Sequence, residues 1–266
     1  MKSMAEGYRR HCCSETPLSL LSPLSLLYPL PVPLTTYSSA CIGKSLLARD
    51  VYEFRVTKPA GFTFIPGQFI LFSVGLVERP DDIQTRAFSI ASSPTEPDLL
   101  FVAKMIPGGR ASRWIEEVLA PGTPVSFTGP FGRFVVDPST EKDYLFVATS
   151  TGVAPFRPMI LSLPSRRIDL VFGVKSEEDL FWQGELEALS KHQGNFFLHI
   201  ALSQSSPQWT GHRGRVQPLV PQVVANDFSH KSLYVCGSPS MTADVKQLAL
   251  GPWGMDKKDV HVEGYI

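Results

Sequence analysis

Several things are scarce in these 266 residues. Neither sign of charge is in surplus, since 25 Lys and Arg balance 25 Asp and Glu. Without a basic excess the chain offers no broad nucleic-acid surface, and any anion site must be built locally. The four cysteines, Cys12, Cys13, Cys41 and Cys236, lack metal-ligand spacing and do not pattern as a disulfide framework. No run of cysteines could hold an iron–sulfur cluster, and the six histidines are scattered without a metal-binding pair. No metal site is expected. The one leucine-rich stretch is broken by Pro17, Pro23, Pro29, Pro31 and Pro33, so it cannot fill a bilayer as a helix, and no membrane role is expected. Gly-x-Gly-x-x-Gly is also missing, which argues against the ordinary dinucleotide fold.

What is present is enough apolar matter for a sizeable core. Apolar residues make up 43% of the chain and charged ones 19%, and this length suits two domains of about 100–150 residues each. Residues 1–34 stand apart. Lys2, Arg9 and Arg10 precede the apolar stretch as in a signal peptide, and Ser38-Ser39-Ala40 supplies small residues for cleavage. The prolines oppose that reading, so the segment is expected to be a disordered or targeting-like extension of a cytoplasmic protein.

Residues 35–138 read as β. Strands are expected at 38–46, 51–57, 69–74, 86–90, 99–105 and 124–128, with Pro66-Gly67 fitting a type II turn. In the second, Val51, Glu53, Arg55 and Thr57 should share one face, and Tyr52, Phe54 and Val56 the other. Six short strands with turn punctuation predict a small antiparallel barrel. One helix interrupts it at 113–119, with Trp114, Ile115, Val118 and Leu119 on one apolar face. Residues 139–266 alternate: strands at 143–148, 168–172, 196–202, 233–235 and 260–262, with helices at 156–163, 179–191, 214–220 and 240–250. That pattern predicts a doubly wound parallel sheet, whose ligands sit at the carboxyl ends of the strands. The segments there are 150–155, Gly173-Val174-Lys175, Ser203-Gln204 and Cys236-Gly237-Ser238-Pro239.

The most informative stretch is Arg86-Ala87-Phe88-Ser89, followed by a Ser/Pro turn. Arg86 and Phe88 should project together and Ser89 oppositely, unless the strand ends there and aims all three into one cleft. Such a cleft offers a fork for phosphate, a plane for a flat ring and a donor for a heteroatom. Gly108 and Gly109, ahead of Arg110-Ala111-Ser112 at a helix start, let backbone approach an anion closely. Each segment alone equally describes a surface arginine or an ordinary glycine turn.

In this order the residues resemble the ferredoxin–NADP reductase superfamily. Arg86-Ala87-Phe88-Ser89 is similar to its Arg-x-Tyr-Ser element, and residues 108–112 to its phosphate-loop helix. Ser150-Thr151-Gly152-Val153-Ala154-Pro155 is similar to its Thr-Gly-Ile-Ala-Pro turn. Cys236-Gly237-Ser238-Pro239-Ser240-Met241 matches its Cys-Gly-Pro-x-x-Met element, and Val262-Glu263-Gly264-Tyr265 its acidic-x-aromatic terminus. The resemblance spans about residues 37–266. It implies an enzyme with FAD in the barrel and NADH or NADPH over the sheet, passing electrons to a separate acceptor such as a ferredoxin, a flavodoxin or an oxygenase component. It further implies that Arg86 binds the flavin pyrophosphate, Phe88 packs along the flavin, and Ser89 bonds near N5. Ala87 lies between them, Gly109, Arg110, Ala111 and Ser112 meet the phosphates, and Val102, Ala103 and Lys104 edge the ring. Thr151, Gly152, Pro155, Gly173, Lys175 and Ser203 would hold the nucleotide, and Cys236 and Gly237 would flank the nicotinamide. Ser89, Cys236, Glu263 and Tyr265 are the candidate catalytic residues, with Tyr265 shielding the flavin until nucleotide displaces it.

Three departures qualify this. Phe88 replaces the usual tyrosine, Ile266 follows the aromatic Tyr265, and Ser203-Gln204 lacks the arginine that grips a 2′-phosphate there. The last leans toward NADH, with Arg213 and Arg215 the alternative phosphate ligands. A competing expectation is a non-catalytic electron-transfer or regulatory subunit of the same fold. Retention of Ser89, Cys236 and Glu263 together argues against it.

Overall fold

The computed structural model describes residues 35–163 and 165–265. The expected extension at 1–34, with Cys12 and Cys13, and the last residue Ile266 lie outside the described residues.

The first half of the described chain folds as six antiparallel strands: β1 (Thr36–Ala48), β2 (Val51–Thr57), β3 (Phe69–Leu76), β4 (Arg79–Ser89), β5 (Asp98–Lys104) and β6 (Pro124–Phe131). Their order is β4-β3-β6-β1-β2-β5, so β4 and β5 are the two ends. The sheet curls until those ends meet, and the rings of Phe88 on β4 and Phe101 on β5 lie 6.4 Å apart edge to face. Phe54, Phe72 and Phe127 complete this aromatic core, all fully buried. β2 shows the two-faced alternation. Phe54 and Val56 enter the barrel, whereas Val51 joins the core of the second half. Gly67 has φ +101°, and Gln68 N–H donates to the Ile65 carbonyl at 3.1 Å, as the expected turn requires.

Two expectations needed correction here. β4 begins at Arg79, not Arg86, because its first seven residues are mostly exposed and polar and carry no apolar alternation. The helix is a single α turn, α1 (Arg110–Arg113), followed by a π turn over Trp114–Val118. Leu119 N–H bonds to the Trp114 carbonyl at 2.8 Å, five residues back. That wider turn swings Val118 out to 40% exposure, while Trp114, Ile115 and Leu119 stay buried.

The second half is an all-parallel sheet: β7 (Asp143–Thr149), β8 (Ile168–Val174), β9 (Phe196–Leu202), β10 (His212–Arg213), β11 (Lys231–Gly237) and β12 (Val260–Gly264). The order is β10-β9-β8-β7-β11-β12, so the winding reverses between β7 and β11. α2 (Phe156–Ser162) and α3 (Gln183–His192) pack on one face through Phe156, Met159 and Leu186 against Phe146 and Phe172. α4 (Val216–Val223) and α5 (Pro239–Leu250) cover the other through Val220 and Val245 against Val147 and Val235. Burial on both sides explains the unbroken apolar runs, each large side chain contributing about 1.5–3 kcal/mol. α3 starts four residues later than expected. Phe181 drops into the core and Trp182 turns left-handed at φ 55°, so only a 3₁₀ turn, Glu177–Asp179, precedes the break. α4 likewise starts at Val216, after Gly214 at φ +109°. No described helix is long and apolar enough to cross a membrane.

Candidate functional site

The strand ends at the winding reversal open onto a cavity of about 950 Å³, walled on its other side by β4 and β5. Reversal points of this kind leave a crevice because the loops from neighbouring strands diverge. β4 contributes Arg86, Ala87, Phe88 and Ser89, and β5 contributes Val102, Ala103 and Lys104. The sheet contributes Thr149, Ser150 and Thr151 from β7, Gly173 and Lys175 from β8, and Ser203 from β9. Glu263, Gly264 and Tyr265 close the wall from β12.

At the centre the two halves are tied by hydrogen bonds. The Tyr265 hydroxyl donates to the Thr151 carbonyl at 3.2 Å. The Ser89 hydroxyl lies 3.1 Å from the Tyr265 hydroxyl, and either oxygen can donate. Tyr265 N–H also donates to the Gly237 carbonyl at 3.1 Å, continuing the pairing of Cys236 with Glu263 across β11 and β12. Desolvation holds the Tyr265 phenol well above its ordinary value. Burial also raises the Cys236 thiol, and the neighbouring Glu263 carboxylate adds to the rise, so Cys236 is a neutral group beside Tyr265. Glu263 is pushed up to about 7 by burial, with Ser89 opposing the shift. A carboxyl poised at neutral pH in a cavity can hold or release a proton.

Other expected residues are placed differently. Cys236 is fully buried and does not line the cavity. Gly152 does not line it either, and its smallness serves a backbone crossing. A Cβ there would lie 2.3 Å from the Cys236 carbonyl oxygen and 2.6 Å from Gly237 Cα. Gly237, at φ +147°, packs equally closely on Thr149, and Pro155 is buried behind the turn. Phe88 reaches the cavity, but its ring packs edge-on against Phe54 and Phe72 in the barrel, so it is mainly a wall. Gly109, Arg110, Ala111 and Ser112 stand outside the cavity lining. Arg110 is bound by the Asp82 carbonyl and carboxylate, and the Ser112 hydroxyl accepts from Ile106 N–H at 2.8 Å. Lys104 lines the wall, yet its ammonium bonds to the Arg49 carbonyl at 3.1 Å and Asp179 at 3.3 Å.

The sheet end of the cavity also sorts its cations. The Arg213 guanidinium is taken up by the Ser205 hydroxyl and the carbonyls of Ser206, Pro207 and Trp209, at 2.5–3.0 Å. It therefore shapes its own loop. Arg215 and Lys175 are exposed on the cavity wall, beside Ser203 and Gln217. On the barrel side Arg86 is half-buried and held by Gln84 at 2.7 Å and the Thr85 carbonyl at 2.8 Å.

Sequence reasoning missed Arg157, which is buried in the seam between the halves, and the Trp182 Nε1 donor to Glu53 at 2.9 Å. Ser150, inside the expected segment 150–155, is a non-glycine at φ 50° on the cavity wall, a conformation the sequence did not announce. No local pattern announces these, apart from the position of Arg157 directly after Pro155-Phe156.

Comparison with known proteins agrees with this geometry. An oxidoreductase FAD-binding domain matches residues 41–136, and an oxidoreductase NAD-binding domain matches 146–247. A protein named ferredoxin–NADP reductase B, from Sorangium cellulosum, is 35% identical over 214 residues, covering 77% of this chain and 86% of that one. The chain belongs to the ferredoxin–NADP reductase superfamily. The phenol hydroxylase P5 protein of Acinetobacter pittii is 30% identical over 237 residues, 86% of this reductase and 65% of that relative. This reductase spans a smaller share, 59%, of the glycine betaine monooxygenase reductase subunit of Pseudomonas aeruginosa. In fold it is similar to a Neisseria gonorrhoeae ferredoxin NADP+ reductase solved with FAD and NADP, with TM-score 0.77, 20% identity, and coverage of 86% and 98%. It is also similar to an Amycolatopsis cytochrome P450 reductase, with TM-score 0.80, 23% identity, and coverage of 87% and 70%. The chain is an NAD(P)H-dependent flavin oxidoreductase with an FAD-binding and an NAD-binding domain. The residues present fit these groups. The cavity is at the large end of small-molecule sites, the cationic Arg86, Lys175 and Arg215 line it and could pair with phosphates, and β5 is an end strand whose free backbone groups could meet a ring edge.

Proposed function

We propose that this reductase takes a hydride from the nicotinamide C4 of NAD(P)H onto the flavin N5 within the cavity, and that its acceptor is a protein, a ferredoxin or the terminal component of an oxygenase. The observation that carries this reading is the meeting of Ser89 from the barrel with Thr151, Glu263 and Tyr265 from the sheet at the winding reversal. When bound, FAD accepts two electrons together and releases them singly. Arg86 holds the flavin phosphates, and Phe88 and Val102 wall the ring. Lys175, Ser203 and Arg215 bind the nucleotide. Tyr265, which lines the cavity and bonds Ser89 and Thr151, would have to move for a nicotinamide to enter, and its departure would free the Ser89 hydroxyl. Glu263, poised near neutrality, holds the proton balance beside Ser89. Small cytoplasmic acceptors suit a cavity mouth open to solvent, and the two lobes divide near Pro138.

The test is anaerobic. Purified protein carrying FAD should bleach with NADH or NADPH, then recolour when oxidised ferredoxin or a terminal oxygenase component is added. Bleaching that only small dyes reverse would overturn the protein-acceptor reading. No bleaching would leave the non-catalytic subunit.

A further inference from the structure

Hydride transfer is steep in distance and angle, so something must fix the barrel half of the site against the sheet half. Tyr265 cannot do so during turnover, because it leaves. The seam holds another candidate. Arg157, in the first turn of α2, is only 8% exposed and uses its whole guanidinium. Its Nη1 donates to the Ala91 carbonyl at 2.9 Å and to Glu96 at 2.6 Å, both in the barrel loop that follows Ser89. Nε donates to Glu185 on α3 at 2.8 Å, and Nη2 is ion-paired with the same carboxylate oxygen at 2.7 Å. Glu96 is held in turn by Ser93 N–H at 2.9 Å and Arg55 at 3.4 Å. Ala91 is two residues past Ser89, and α2 grows directly out of the turn that carries Thr151. The guanidinium therefore links the two half-sites by a short path that does not run through Tyr265.

We infer that Arg157 is a positioning residue for the hydride step: it sets the separation and tilt of the Thr151 turn relative to Ser89. This rests on the flavin–nicotinamide reading above. A planar fork fixes three acceptors in one geometry, whereas an ammonium in the same place is a point charge that cannot. The opposite seam contact differs. Arg49 pairs with Glu178 and Asp179 at 2.7 Å each but is 45% exposed and sits in the turn between β1 and β2, outside the cavity lining, so it braces without aiming.

The test uses the full-length FAD-loaded protein. Arg157→Lys should slow anaerobic flavin reduction at least tenfold in stopped flow, while flavin and nucleotide dissociation constants stay within about twofold. The long-wavelength absorbance of stacked nicotinamide and flavin should fall in parallel. In the flavin-free protein, amide hydrogen exchange at residues 90–93 and 151–156 should quicken together. Glu185→Gln, which loosens one arm only, should move each readout in the same direction by a smaller factor, and it decides the matter if Arg157→Lys fails to fold. An unchanged reduction rate in a folded variant would overturn the proposal, as would a rate that falls only in proportion to lost flavin. Wild-type protein that neither nucleotide reduces would overturn the hydride reading itself.

Discussion

The two ends of the cavity are built on different principles. At the end nearest the barrel, Ser89 and Thr151 are buried, Tyr265 is bonded to both halves, and Glu263 is lifted by its surroundings to about 7. At the other end, where we propose that the nucleotide binds, Lys175, Ser203 and Arg215 are exposed. The contrast follows from what each end must do. Chemistry needs groups fixed before the ligand arrives, and the cost of fixing them is met by burial and bonds within the fold. Recognition of a phosphate or ribose tolerates side chains that settle on binding, since exposed charges lose little by waiting in water.

The contrast is tested most severely at Glu263. Glu263→Gln should lower flavin reduction about a hundredfold by stopped flow, with flavin retained, since a positioned acid–base group is worth about 10²–10⁴. The wild-type rate profile should bend near pH 7, and the variant profile should not. Stability supplies an independent check. Because the folded group titrates at about 7 rather than 4.5, the folded state holds a proton that the unfolded state releases between those values. Stability therefore falls as pH rises through that window. Thermal melts should show Glu263→Gln gaining on wild type from pH 5 to pH 8.

Arg86 lies between the two regimes. Arg86→Ala should weaken flavin binding about thirtyfold in a fluorescence titration, in keeping with about 2 kcal/mol for a charge-assisted contact. Equal retention would move the pyrophosphate to another cation. At the centre, Tyr265→Ser should tighten NAD(P)+ binding about tenfold and slow turnover through slower product release, measured by titration and steady-state assay. No change in either would make Tyr265 only a wall.

The smallest effect belongs at the exposed end. Arg215→Ala should raise the nucleotide KM about fivefold with kcat unchanged, as loss of an exposed charge contact of about 1 kcal/mol would do. With Arg213 engaged by its own loop and Gln204 after Ser203, NADH should equal or exceed NADPH in kcat/KM. A tenfold preference for NADPH would show that Arg215 and Lys175 together replace the missing arginine.

Much of the fold could be read from the chain, because burial on one face or two imprints apolar period directly. β2 and β9 are bounded as the pattern predicted. Where local rules gave way, tertiary forces had intervened: the π turn that exposes Val118, and the left-handed Trp182 that cuts α3 short. The site was legible in part. Arg86, Ser89, Thr151, Lys175, Ser203, Glu263 and Tyr265 do face one cavity. Arg157 was invisible because its acceptors Ala91, Glu96 and Glu185 lie 66, 61 and 28 residues away in sequence. Gly152 and Gly237 were identified but for the wrong reason, since a motif marks smallness without saying what presses against it.

The crossing of those two turns makes the site epistatic. Gly152 leaves no space before the Cys236 carbonyl, and Gly237 none before Thr149. A side chain at either position must displace the other strand end, and with it the Tyr265 amide that Gly237 holds. Changes at 152 and 237 should therefore fail to add, each having already spoiled the same junction. On the proposed reading, substitutions that alter nucleotide choice without disturbing that junction fall on the outer wall, at the exposed Lys175, Ser203 and Arg215.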